Sequence, residues 1–152
     1  IALANEAGVP VILNTAPATP DLDLAWACRC DFLVPNETEL EILTGMPVED
    51  LPQIEAAAHS LFERGLKHLI VTLGEKGALY MHGDEKHHFT APTVNAVDTT
   101  GAGDAFVGCF AQTLVDSGDI SQAIERAIRY ASQSVTARGT QTSYLDAEAF
   151  GH

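Results

Sequence analysis

The sequence predicts an α/β protein, a mostly parallel sheet with helices on both faces and an antiparallel hairpin at one edge. Three observations lead there. Short apolar runs at 9–14, 31–35 and 68–73 alternate with segments whose apolar residues recur at helical spacing, a pattern that builds right-handed βαβ units. Those runs are apolar at successive positions, as in strands buried on both faces. Between 78 and 90 the pattern changes to two short strands around Gly83-Asp84, a two-residue hairpin signal.

Each element has its own justification. Residues 1–8 read as the last turns of a helix with Gly8 just past its end. No methionine or capping residue precedes them, so the chain is expected to be a segment of something longer. Val9 to Asn14 is a buried strand, and Thr15 to Pro20, with two prolines, is a loop. Leu22, Leu24, Ala25, Trp26 and Cys28 fit a short helix, and Asp31 to Pro35 a second buried strand. Asn36 to Thr44 is helical and closed by Gly45. Asp50 or Leu51, with Pro52 in the first turn, opens a helix whose stripe is Ile54, Ala57, Ala58, Leu61 and Phe62 and which Gly65 ends. His68 to Leu73 is the third buried strand. The hairpin strands are Ala78 to Met81 and His87 to Thr90. A helix starts near Ala102 or Gly103 with Phe106, Cys109, Phe110, Thr113 and Leu114 on one face. A last helix spans about 121–136 on Ile124, Ala127, Ile128, Ala131 and Val135.

Composition sets the bounds on function. The 152 residues suffice for one domain, and 46% hydrophobic with 19% charged residues is ordinary for a globular protein. A formal net charge of -13 argues against a nucleic-acid or anionic-membrane partner. A nucleotide is compatible with it, provided backbone amides and a divalent ion hold the phosphates. Cys28, Cys30 and Cys109 form no even disulfide framework and no zinc spacing. Reduced thiols in a cytoplasmic protein are expected. No apolar run approaches membrane-spanning length. The six histidines show no ligand spacing, and no Ser-His-Asp arrangement stands out.

In open α/β sheets ligands bind beyond the carboxyl ends of the strands, and three loops there carry candidate chemistry. The first is Asp98-Thr99-Thr100-Gly101-Ala102-Gly103-Asp104-Ala105-Phe106-Val107-Gly108. Polar turn formers and two glycines run straight into a helix. First-turn amides have no partner inside the helix, and that end is partly positive. Glycines let a bulky anion approach the backbone. Asp104 lies in that first turn, where capping alone also accounts for a carboxylate. The second loop is Asn36-Glu37-Thr38-Glu39, which reads as a capping box. The third, Thr72-Leu73-Gly74-Glu75-Lys76-Gly77, reads as a turn, and it is neither a Walker A loop nor a dinucleotide fingerprint.

The string D-T-T-G-A-G-D-A-F-x-G resembles, at every position, the signature of the ribokinase family of carbohydrate kinases. The match covers only the C-terminal half of such a kinase. It implies a ribokinase-like three-layer sandwich, here a partial domain, with residues 1–152 as the nucleotide-binding half and the N-terminal sugar-binding half and lid absent. It implies that Asp104 is the general base taking the proton of a sugar hydroxyl, and that the amides of Gly101, Ala102 and Gly103 hold the phosphoryl group in flight. Asn36 would reach toward the phosphates of ATP and Glu39 would position Mg2+, roles that can coexist with the capping box. Thr72, Gly74 and Gly77 would line the nucleotide site. The segment 134–143 resembles a family pattern that binds a monovalent cation, K+, through carbonyls and a serine. The mapped residues are Asp98, Thr100, Ser134, Ala137, Gly139 and Ser143, with Ala137-Arg138 and Thr140 departing from the usual residues. Ile128 stands where many relatives place Asn or His against adenine, so an apolar wall for the base is expected.

The implied activity is ATP-dependent phosphorylation of a sugar, most simply ribose to ribose 5-phosphate. A relative acting on deoxyribose, fructose or a nucleoside is the near alternative, and a non-catalytic nucleotide-binding module the far one. Sugar and ATP are the expected partners, with a homodimer in the full-length protein.

Overall fold

A computed structural model of the chain describes residues 1–151. They fall into two compact units, Ile1–Leu73 with Leu79–His88, and Gly74–Ala78 with the stretch from Phe89 onward.

The first unit is built on a five-stranded sheet in the order β1 (Ile12–Asn14), β2 (Phe32–Val34), β3 (His68–Thr72), β4 (Ala78–His82) and β5 (Glu85–Phe89). β1 pairs with β2 and β2 with β3 in parallel, with Leu13 opposite Leu33 and Leu33 opposite Leu69. The two-residue connection at Gly83-Asp84 joins β4 to β5, and so short a link suits only antiparallel neighbours. The sheet is therefore open and mixed, as the alternating pattern predicts.

Central strands and edge strands differ in burial for a simple reason. All three residues of β2 are buried and so is the middle of β3. β1 was expected to be equally buried, but its three residues are only half-buried and Val9 is exposed. A strand at the sheet edge has a neighbour on one side only. β5 forms the other edge, starts two residues earlier than expected, and is exposed except at Phe89. Its charged residues blunt that edge. Lys86 pairs with Glu55 at 2.6 Å, an exposed contact of little energetic weight.

The helices of this unit are α1 (Ala2–Glu6), α2 (Leu24–Ala27), α3 (Glu37–Thr44) and α4 (Leu51–Phe62). Side-chain caps start three of them: Asp23 on α2, Asn36 on α3 and Asp50 on α4. Leu22 lies outside α2. α4 buries Ile54, Ala57, Ala58 and Leu61 of the anticipated stripe, with Phe62 only partly buried against the same core. These join Leu33, Leu40, Leu69, Val71 and Met81 in one core. Cys28 and Cys30 are buried in it, and burial pushes the Cys30 thiol up to about 12. At the side of the sheet, His68 stacks on Phe32 at 4.6 Å and on His82 at 4.5 Å between ring centroids, and its Nδ1 bonds the Tyr80 hydroxyl at 2.8 Å.

The second unit centres on two packed helices, α5 (Ala102–Ser117) and α6 (Ile120–Ser134). Gly118 closes α5, and Asp119 caps α6 by accepting from the Gln122 amide. Ala105, Phe106, Phe110, Ala123, Ile124, Ala127 and Ile128 are buried. After α6 the chain passes a 3-10 turn at Gln141–Ser143 and ends in α7 (Ala147–Phe150). The Tyr130 hydroxyl donates to the Leu145 carbonyl at 2.7 Å, and the Phe150 ring packs edge-on against Tyr130 at 4.8 Å. These contacts hold the last segment to α6.

Candidate active site

The signature turn lies in the second unit. Gly101 is the N-cap of α5 and sits in the left-handed region, φ +81°. A Cβ there would fall 2.6 Å from the Tyr144 hydroxyl and 3.1 Å from the Thr140 methyl, so both the backbone conformation and the neighbours demand glycine. Being glycine, it offers α5 no side-chain cap. Its carbonyl accepts twice, from the Ala105 amide at 2.9 Å and from the Tyr144 hydroxyl at 2.8 Å. The Ala102 amide donates to the Thr99 carbonyl at 3.2 Å. The amides of Gly103 and Asp104 follow in the first turn, where a helix supplies no internal acceptor.

Asp104 is exposed on that turn. No ion pair or hydrogen bond of the described residues engages its carboxylate. It borders a cavity of about 310 Å³ whose walls include Gly108, Arg126, Tyr144 and Phe150. An acidic oxygen beside undonated amides is an arrangement able to hold an alcohol next to an anion.

Asp98 ties the turn to the far end of the unit. One oxygen accepts from the Thr100 amide at 3.0 Å and the other from the Gly139 amide at 3.0 Å. The Thr100 side chain, its amide and the Gly139 amide hold the Asp98 carboxyl down at about 2. The Val135 carbonyl accepts from both Val97, at 2.8 Å, and Asp98, at 3.2 Å. Of the residues suggested for a monovalent cation, Asp98, Thr100 and Gly139 are bonded together, and Ser134 directly precedes Val135, whose carbonyl holds the Asp98 amide. The Ser134 hydroxyl donates to the Ala131 carbonyl at 2.8 Å, and that of Ser143 to Thr140 at 2.7 Å. Each keeps oxygen lone pairs for another partner. Carbonyl, hydroxyl and carboxylate oxygens are the donor chemistry such an ion needs.

In the first unit Asn36 and Glu39 form the expected capping box. The Glu39 amide donates to Asn36 Oδ1 at 2.8 Å, and the Asn36 amide to Glu39 Oε2 at 2.9 Å. Thr15 Oγ1 also donates to Oε2, at 3.3 Å. Both bonds fall on one oxygen, which leaves Oε1 for a cation or its water. Asn36 and Thr72 form an isolated parallel bridge that prolongs the β2–β3 pairing. It sets the capping box beside the end of β3.

Three further expected residues have plain structural roles here. Gly77 has φ +98°, and a Cβ on it would lie 1.9 Å from the Phe89 carbonyl oxygen. Gly74, at φ +58° with open space around it, opens a 3-10 turn. Ile128 is 5% exposed, so the core of its helix takes most of the side chain expected to face adenine. Among the described residues no cluster of His, Cys, Asp and Glu forms a ready metal cage. The contacts of Tyr144 and Thr15 have no counterpart in the sequence reading. The Tyr144–Gly101 bond joins residues 43 apart and leaves no periodic trace. Thr15 had a legible signal, a polar residue just past the carboxyl end of a strand.

The model of the pfkB family carbohydrate kinases matches residues 1–147, nearly the whole chain. The chain belongs to that family. It is 56% identical over 150 residues to a deoxyribokinase of Salmonella typhi, covering 99% of this chain and 49% of that protein. It is 39% identical over 148 residues to a ribokinase of Mus musculus, covering 95% and 46%. Among solved structures, Arabidopsis thaliana ribokinase complexed with ribose and ATP superposes with a TM-score of 0.88 at 35% identity, over 95% of this chain and 47% of that one. The ribokinase-like α/β fold of this pfkB chain follows. The chain spans about half the length of the curated relatives it matches. Among the described residues no helix is long and apolar enough to cross a membrane.

Proposed function

We propose that this chain is the C-terminal, nucleotide-binding half of an ATP-dependent pentose kinase, and that the full-length enzyme transfers the γ-phosphoryl group to a sugar hydroxyl. The observation that carries the reading is the exposed, unengaged Asp104 carboxylate at the glycine-bounded start of α5. Phosphoryl transfer asks the protein mainly for positioning and charge stabilisation. Asp104 orients the attacking hydroxyl and takes its proton as the new P–O bond forms. The amides of Gly103 and Asp104 face the charge that builds on the transferring group, whereas the Ala102 amide, expected to join them, is already given to the Thr99 carbonyl.

Glu39 Oε1 is the oxygen for Mg2+, which keeps most of its waters and needs few carboxylates. When bound, it neutralises charge on the phosphates. Asn36 and the Thr72–Gly77 loop serve the nucleotide. Asp98, Thr100, Ser134, Ala137, Gly139 and Ser143 hold K+, whose task is to stiffen the signature turn. A cytoplasmic homodimer acting on free sugar completes the proposal.

The acceptor is deoxyribose in preference to ribose. The deoxyribokinase relative is 56% identical and the ribokinase relative 39%, which moves deoxyribose ahead of the ribose expected from motifs alone. The test is ATP turnover by the full-length protein with Mg2+ and a panel of deoxyribose, ribose, fructose and nucleosides. Deoxyribose is expected to give the highest kcat/KM. No stimulation by any sugar, with ATP still bound, would mark a non-catalytic nucleotide module instead.

A further inference from the structure

We propose that Tyr144 is a positioning residue for phosphoryl transfer: its hydroxyl, bonded to the Gly101 carbonyl, locks the 101–102 peptide so that the next amides and Asp104 face the reacting group. The inference rests on the kinase reading above and names a residue that acts through the turn rather than on substrate.

The reason lies in the peptide joining Gly101 to Ala102. A glycine with positive φ can reverse its following peptide with little steric penalty. Reversal would carry the Gly101 carbonyl toward the anion and would redirect the start of α5. The helix has no side-chain cap to prevent this. Both ends of the peptide are instead bonded. Its N–H donates to Thr99, and its carbonyl accepts from Ala105 and from Tyr144. The Thr99 and Ala105 bonds are local and move with the turn. The Tyr144 bond alone among these three comes from a distant part of the chain.

The donor is itself held. Its ring lies 6.3 Å from that of Tyr130, whose hydroxyl bonds the Leu145 carbonyl next along the chain. Gly139, five residues earlier, is bonded to Asp98, and the Thr140 methyl closes against Gly101. The segment 139–144 therefore grips the signature turn at three points. Desolvation, and then the charge of Asp104, push the Tyr144 phenol above its ordinary value, so it remains a donor at neutral pH.

The test uses the full-length kinase and Tyr144→Phe, which keeps the ring and removes the hydroxyl. One neutral hydrogen bond corresponds to about a 5- to 10-fold change. Expected is a kcat lower by about that factor, KM values for ATP and sugar within about twofold, and amide exchange at Ala102 faster by a similar factor. Unchanged kcat or unchanged exchange would overturn the proposal, as would a loss confined to KM. Tyr144→Leu removes the ring too. If it is impaired while Tyr144→Phe behaves like wild type, the residue only packs and the proposal fails. Rates are compared at a temperature where circular dichroism shows each variant folded. If the wild type phosphorylates no sugar, the kinase reading falls separately, and the exchange experiment still decides whether Tyr144 holds the peptide.

Discussion

Asp104 and Gly77 represent two ways in which a single residue matters here. Asp104 is exposed and unengaged, so folding does not require its charge. Asp104→Asn keeps the shape and removes the proton acceptor. Turnover of the full-length kinase is expected to fall by at least about 10²-fold, with the ATP dissociation constant by calorimetry nearly unchanged. Retained turnover would take Asp104 out of the mechanism. Gly77 is the opposite case. A side chain there meets the Phe89 carbonyl oxygen at 1.9 Å with φ at +98°, a backbone clash that no rotamer relieves. Gly77→Ala is expected to cost about 2 kcal/mol or more in urea unfolding. A near-neutral result would mean that the 89–91 backbone yields easily.

At the scale of elements, α3 shows how folding and chemistry share one group. Glu39 Oε2 closes the capping box and accepts from Thr15, and the proposed Mg2+ role falls to Oε1. Glu39→Gln retains an oxygen that can accept from the Asn36 amide but loses the charge. The expected outcome is a melting temperature nearly unchanged and a Mg2+ requirement raised about tenfold or more, read by titrating Mg2+ against turnover. A large loss of stability with normal Mg2+ use would leave Glu39 as a cap alone. Elements of this kind were legible in the sequence because their signals are local. Asn36 with Glu39, Asp50 with Pro52, and the glycine at 45 mark helix ends wherever they occur. The hairpin turn at Gly83-Asp84 was legible for the same reason. Edge burial was not, because both strands lie in short apolar runs and the strand order, which sets how many neighbours each has, leaves no local mark. Tyr144 was illegible because its bond reaches 43 residues back. Ile128 matched two readings, a base wall and a helix stripe, and only its burial separates them.

For the molecule as a whole, pH sorts the charged groups into separate windows. Asp98 is held near 2, so it stays ionised through the mildly acidic range and its contribution disappears only as pH falls toward that value. His68 acts earlier. Desolvation, then His82 and Lys67, lower its pKa, while Asp31 opposes them. The folded state therefore favours neutral His68, and the unfolded chain protonates it near the ordinary value of about 6.5. Its contribution is full above that value and is lost as pH falls below it toward the lowered folded value. The urea midpoint, followed by circular dichroism, is expected to drop between about pH 7.5 and about pH 5.5, and less steeply in His68→Gln. Equal slopes would assign the drop to other groups. A net charge of -13 adds self-repulsion at neutral pH, which acidification relieves. The two effects have opposite sign, so the variant comparison is what isolates the histidine.

The carbonyl of Val135 serves two amides at once, those of Val97 and Asp98. Residues 90–101 contain no regular element, yet through this one oxygen their last part is moored to the tail of α6. A small rotation of that helix tail would tug on Asp98 and, through it, on the turn that carries the proposed general base Asp104. Surface changes far along α6 thus have a mechanical route to the rate, without altering any atom that a nucleotide or sugar touches.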